Sequence, residues 1–257
     1  MIRRALLVVV LLATRATAQK PTGPIEDNSF LIEEAYNQEK GIIQHISAVQ
    51  FMGVARQWAY SFTEEWPAPG RRHQLSATIP LGHAANQSAR LGDLALNYRL
   101  QLVDDSNVAV APRLSLVLPT GNWRTGSGYG STGIQGQLPL SVTLRSTLVA
   151  HSNVGGTFTP NARATDNSTA TAKEYHVGQS LVWLARERFN FMLEALWSRT
   201  TYAGGAIETA TISPGIRWGY DFNNGLQVVP GVAVPLGLGR SHGQNGVYLY
   251  LSFEHPK

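Results

Sequence analysis

The chain has 257 residues, no cysteine, 43% hydrophobic residues and a formal net charge of +4. Arg3, Arg4 and Arg15 lie in the first 18 residues, and without them 18 basic residues face 17 acidic ones, a balance of about +1. That balance excludes a basic surface for nucleic acid, and the lack of cysteine excludes a disulfide scaffold and thiol chemistry.

Residues 1–18 read as a secretory signal peptide. Arg3 and Arg4 make the charged start, residues 5–13 the apolar run, and Ala16-Thr17-Ala18 the small-residue cleavage site ahead of Gln19. The apolar run is far shorter than the roughly 18 residues a spanning helix needs, and no later segment reaches that length. An exported chain of this kind is either soluble or a barrel whose apolar residues occupy every second position.

Residues 19–41 form a separate N-terminal segment, periplasmic or lumenal. Asp27, Asn28 and Ser29 offer N-caps to a short helix over 30–38 that ends at Gly41. Phe30, Glu33, Glu34 and Tyr36 would be the residues of a plug, because a mixed apolar and acidic surface suits an arginine-lined lumen. The other placement is at the periplasmic mouth.

From 42 to 257 the sequence predicts about twelve antiparallel strands, over 42–52, 56–66, 73–81, 92–103, 108–118, 133–142, 144–158, 174–185, 189–198, 210–220, 226–236 and 246–253. The clearest pair sets Leu94, Leu96, Tyr98, Leu100 and Leu102 against Asp93, Ala95, Asn97, Arg99 and Gln101. After the turn Asp104-Asp105-Ser106-Asn107, it sets Leu114, Leu116 and Leu118 against Arg113 and Ser115. A period of two gives one apolar and one polar face, and about ten residues suffice to cross a bilayer at barrel tilt. The first strand does not alternate cleanly.

Short connections at 104–107, 142–144, 186–188 and 221–225 interleave with longer ones at 82–91, 119–132, 159–173, 199–209 and 237–245, with 53–55 the exception. Short turns on one rim and long loops on the other are the pattern of an outer-membrane barrel. Trp66, Trp183, Phe189, Trp218, Tyr220 and Phe253 map to the short-turn rim, and Trp58, Tyr175 and Trp197 to the other, as two interfacial girdles. The reading is an all-β, membrane-spanning, up-and-down antiparallel barrel in the bacterial outer membrane. Its partners would be outer-membrane lipid and the barrel-assembly machinery, and the final strand, Gly246 to Phe253, resembles the signal that machinery reads.

Several segments together resemble the bacterial outer-membrane barrels of the "MetA-pathway of phenol degradation" family, which are transporter-like. They are Gly92-Asp93-Leu94, Leu116-Val117-Leu118-Pro119-Thr120-Gly121, Gln137-Leu138-Pro139-Leu140, Ser213-Pro214-Gly215-Ile216-Arg217-Trp218 and Val234-Pro235-Leu236-Gly237. The leader from Glu26 to Gln38 and Phe62-Thr63-Glu64-Glu65-Trp66-Pro67 add to the likeness. The resemblance implies a monomeric barrel passing small hydrophobic or aromatic compounds. No cofactor is expected.

With apolar faces toward lipid, Glu65, Arg99, Arg113, His151, Glu194 and Arg217 line the lumen. Such charges either pair across a filled barrel or set the selectivity of a pathway. The expected function is passive or facilitated passage of small molecules. The alternatives are a closed structural barrel and a lipid-modifying enzyme, for which His45 with Ser47, or the run His151-Ser152-Asn153, would supply a base and a hydroxyl without an identifiable third partner. The run from Gly128 to Gly133 matches GxGxxG but precedes a strand, so it reads as a flexible surface loop rather than a phosphate cradle. No His, Asp or Glu cluster has metal-ligand spacing.

Overall fold

A computed structural model of the chain describes residues 25, 27–53, 56–83 and 88–257; the expected signal peptide, 1–18, lies outside them. The structure is a closed cylinder of twelve antiparallel strands. They are β1 (Ile42–Met52), β2 (Gln57–Pro67), β3 (His73–His83), β4 (Leu94–Leu100, resuming at Val103–Asp104), β5 (Val108–Val110 and Arg113–Leu118) and β6 (Gly133–Arg145). There follow β7 (Leu148–Arg163), β8 (Thr169–Arg186), β9 (Phe189–Tyr202), β10 (Gly205–Trp218, with Tyr220–Asp221), β11 (Gln227–Ala233, with Leu236–Gly237) and β12 (Gly246–Pro256). Each strand pairs with the next, and β12 closes on β1 from Ile42 opposite Pro256 to Met52 opposite Gly246. Closure leaves no open edge for backbone groups to face lipid.

Alternation decides what each face meets. On β9, Asn190, Met192 and Glu194 are buried inside while Phe191, Leu193, Ala195 and Trp197 are exposed outside. The outer band continues around the cylinder through Leu96, Leu114, Leu116, Ile134, Leu138, Val154, Val177, Leu181 and Leu249. Exposed apolar side chains in such a continuous ring belong against acyl chains, not water. Leu193→Arg, facing outward mid-strand between Leu181 and Pro214, should cost about 2–4 kcal/mol of folding stability in lipid vesicles, read by urea titration.

Strand ends are where the structure departs from the sequence pattern. β7 and β8 run on to Arg163 and back from Thr169, leaving a connection of 164–168. β9 and β10 meet across Ala203 and Gly204. At about 3.3 Å per residue, the 18 residues of β8 span about 60 Å, so the hairpin must rise well beyond the hydrocarbon core. Past the lipid boundary both faces are wet, so Lys173, Thr169 and Asn161 carry no period of two. The long-loop rim is thus built partly of projecting sheet.

The N-terminal segment forms no helix among its described residues; it runs as bends and extended chain. The reason lies in its backbone. The N–H groups of Leu31 and Ile32 donate to Glu194 Oε1 at 2.9 and 3.1 Å, that of Glu33 to Asn153 at 2.8 Å, and that of Ala35 to Ser141 at 2.8 Å. Those of Asn37 and Gln38 donate to Gln101 and Gln74 at 2.9 and 2.7 Å. Donors that a helix would spend on its own carbonyls are taken by the barrel wall instead.

Candidate functional site

Residues 25–41 enter and leave the cylinder at the short-turn rim. Gly41 leads into β1, and at the other end the Ile25 carbonyl accepts from Arg217 Nη2 at 3.0 Å. Between these ends the chain rises into the lumen and touches inward residues of β1 and of β3–β12. Within the loop, Ser29 Oγ donates to Glu34 Oε1 at 3.1 Å.

Three arginines grip it. Arg217, fully buried, donates to the carbonyls of Ile25, Asp27 and Asn28 and to Glu34 Oε1 at 3.0 Å, while Asn190 Oδ1 steadies its Nε at 3.1 Å. Arg99 donates to Asn37 Oδ1 and Glu33 Oε1, both at 2.8 Å, and to the carbonyls of Glu34 and Tyr36. Glu65 lies 3.9 Å from Arg99 and accepts from Gln74 at 2.7 Å. Arg113 lies 3.2 Å from Glu33 Oε2. Each of these is a charge-assisted contact in a region poor in water, where such bonds are strong and their loss costly.

Asp27 holds the same loop at the rim, accepting from Tyr250 O–H and Gln44 Nε2 at 2.6 Å each. Burial pushes its carboxyl above the ordinary range, against Arg217 and the hydrogen bonds from Tyr250 and Asn28, which pull it down.

Apolar contacts fix the loop's height. Phe30 stacks on Tyr248 with ring centroids 5.6 Å apart and lies 5.3 Å from Tyr250. Its ring fills the space where a Cβ on Gly231 or Gly215 would be, and the tip of Ile32 does the same at Gly178. Glycine inside a strand marks a close approach, and these three were the sequence signal for the docked loop. Tyr248 and Tyr250 were also missed. They face inward on a strand whose outward residues, Val247, Leu249 and Leu251, are equally apolar, so no alternation showed.

The sequence-predicted lumenal residues Glu65, Arg99, Arg113, His151, Glu194 and Arg217 all lie on the inner wall, and all but Arg113 are buried. His151 Nδ1 is 2.7 Å from Ser141 Oγ, and its Nε2 is 3.5 Å from Glu34 Oε1. The order hydroxyl, imidazole, carboxylate imitates a catalytic chain, but Ser141 accepts the Ala35 N–H and all three groups are buried beneath the loop. Tyr36 meets His151 edge to face.

Beyond the loop, toward the long-loop rim, a cavity of about 370 Å³ is bordered by Glu33, Arg113, Asn153, Glu174, His176 and Tyr248. A second, of about 670 Å³, lies under the rim loops and is lined by Val117, Trp123, Tyr129, Arg163, Tyr202 and Ile207. The loop containing GxGxxG is well organised. Asp93 accepts from the N–H groups of Gly121 and Tyr129 at 2.9 and 2.8 Å, and Asn122 caps a single 3-10 turn, Trp123–Thr125. Thr120 Oγ1 donates to the Gly92 carbonyl at 2.9 Å, so Gly92-Asp93 and Thr120-Gly121 form one structural unit. Arg124 and Arg163 lie over the Trp123 ring, 4.3 and 5.5 Å from its centroid.

No family model and no curated protein matches the chain. Among solved structures, an outer membrane channel from Pseudomonas putida F1 superposes with a TM-score of 0.63 at 12% identity, over 86% of this chain and 97% of that one. The NanC porin superposes with a TM-score of 0.56 at 9% identity, over 83% and 99%, and the KdgM porin with 0.52 at 8%, over 84% and 99%. The chain has the closed β-barrel fold of these outer-membrane proteins. At these identities the shared property is the fold. On the outside of the barrel, His45 lies 3.1 Å from His255 and 3.7 Å from Glu64, and Ser47 lies 3.3 Å from the Tyr60 hydroxyl. The expected girdle residues Tyr175, Trp183, Trp197 and Tyr220 are exposed, and Trp58, Trp66, Trp218 and Phe253 are half-buried.

Proposed function

We propose that the barrel is a channel for small molecules and that its own residues 27–38, with Phe30, Glu33, Glu34 and Tyr36 at the centre, form the plug that closes it. One observation carries this reading: the segment is held by side-chain hydrogen bonds, ion pairs and one aromatic stack, never by strand pairing among the described residues. It can therefore leave without breaking the sheet. The lumen charges act in both states, pairing with the plug when closed and lining the pathway when open. The apolar outer cavity suits small hydrophobic or aromatic solutes, in keeping with the resemblance to the phenol-degradation family and with the channel and porin names of the structural neighbours. Outer-membrane lipid and the barrel-assembly machinery complete the proposed partners.

The absence of native cysteine permits a clean test. Ser29 Oγ and Ser180 Oγ are 3.1 Å apart, one on the loop and one on β8, close enough for a disulfide between Ser29→Cys and Ser180→Cys. In planar bilayers or liposome swelling, the oxidised double variant should stay closed and the reduced form should regain the wild-type openings. Openings that persist with the disulfide formed would show that the segment is no gate. No passage from the reduced form or from plug-destabilised variants would favour the closed structural barrel. We read the chain as a non-enzyme; phospholipid hydrolysis lost in Ser47→Ala would overturn that.

A further inference from the structure

The grip on Glu33 has the form of a ligand site. Its two carboxylate oxygens are divided between two guanidinium groups, Oε1 at 2.8 Å from Arg99 Nη1 and Oε2 at 3.2 Å from Arg113 Nη1. Two arginines on neighbouring strands, opposite each other in register, offer a carboxylate parallel charge-assisted bonds. The wall orients Arg113 without help from the loop, since its Nη2 donates to Gln135 at 3.1 Å and to Gln137. Its buried Nε has no acceptor among the described residues. Both Glu33 and Arg113 border the 370 Å³ cavity, so a solute there meets this pair without crossing the plug.

We propose that Arg99 and Arg113 form a carboxylate-binding site of the lumen. In the closed barrel it is filled by Glu33 as an internal mimic, and small organic acids reaching it from the long-loop side compete for it. That such acids are also cargo rests on the channel reading. The site would make the plug responsive to solute, because every bond a free carboxylate takes from the two arginines is one Glu33 loses. Among the described residues Arg99 donates its hydrogen bonds only to loop residues 33, 34, 36 and 37, so displacement of the loop frees those donors and leaves Glu65, 3.9 Å away, as the wall carboxylate beside it.

Chemical rescue tests this in the full-length chain. Asn153 holds the Glu33 backbone on both sides, accepting its N–H at 2.8 Å and donating to its carbonyl at 2.7 Å. Glu33→Ala should therefore leave the loop in place and a carboxylate-sized gap between the arginines. Titration calorimetry on the detergent-solubilised variant should show saturable binding of acetate and none of acetamide, with a rise in unfolding temperature on adding acetate. Adding Arg113→Gln should weaken acetate binding at least about tenfold. No acetate binding, or binding indifferent to Arg113→Gln, would overturn the site. Should Glu33→Ala fail to fold, Glu33→Ser also empties the space between the arginines, and the same acetate and acetamide titrations then apply, with binding and its absence carrying the same meaning. These readouts need no current, so failure of the channel reading shows separately, as a barrel that binds acetate yet passes no solute.

Discussion

Replacing Arg217 with alanine should open the barrel more than any other single substitution of a wall residue. The variant leaves the carbonyls of Ile25, Asp27 and Asn28 and the Glu34 carboxylate without their common donor, inside a region from which water is largely excluded. Removing one member of a buried ion pair costs about 3–5 kcal/mol, mostly because the other charge stays buried without its partner. Here much of that cost has an escape, since Asp27 and Glu34 sit on a segment that can return to water. The penalty thus falls on docking of the loop rather than on the sheet. At about 1.4 kcal/mol per factor of ten, the ratio of open to closed should rise by a hundredfold or more. Single-channel recording should show long openings in Arg217→Ala with an unchanged heat-modifiable barrel band on a gel. An electrically silent Arg217→Ala barrel would remove the loop as the closing element.

The second large effect is steric. A Cβ at position 231 would lie 2.6 Å from Phe30 Cε1 and closer still to Cζ, while the nearest wall atom outside the loop is the Ile216 carbonyl oxygen at 3.2 Å. Gly231→Val therefore collides first with the plug, and its contact with the wall is a tight one to the Ile216 carbonyl. Valine suits a strand, so the sheet should tolerate it, whereas the overpacked ring should lose about 1–3 kcal/mol of docking. Wild-type openings should become about ten- to a hundredfold more frequent. The pairing with Phe30 gives a built-in control: Phe30→Ala in the Gly231→Val background should restore part of the closure, because the clash and the ring disappear together. If the two substitutions simply add, Phe30 does not occupy the space that the structure gives it.

The sheet was largely legible in the sequence, and the plug was not, for one shared physical reason. Alternation reports a difference between lipid and water, and it worked where the lumen is polar, as on β9 with Asn190 and Glu194 against Phe191 and Leu193. Where the inner wall packs against Phe30 and Ile25 it is apolar too: Ile46 and Ala48 on β1, Val182, Met192, Val229, Ala233 and Tyr250 form one buried cluster with them. This is why the first strand showed no clean period. The inward charges Arg99, Arg113 and Arg217 were readable as lumenal, but their partners were not, because those partners lie on a segment whose local signals, an N-cap run and a short mixed stretch, favoured a helix. Tertiary hydrogen bonds to Glu194, Asn153, Ser141, Gln101 and Gln74 overrode that preference.

Asp27 touches both margins of the sheet. Its carboxylate accepts from Gln44 on the first strand and from Tyr250 on the last, and Gln44 donates in turn to Ser252 at 3.0 Å. Those strands meet through an eleven-pair ladder that seals the cylinder. The berth for Asp27 does not exist until that seam has formed, and once occupied it rivets the seam from within. In assembly, a segment that precedes every strand in the chain is therefore the one that finds its seat last.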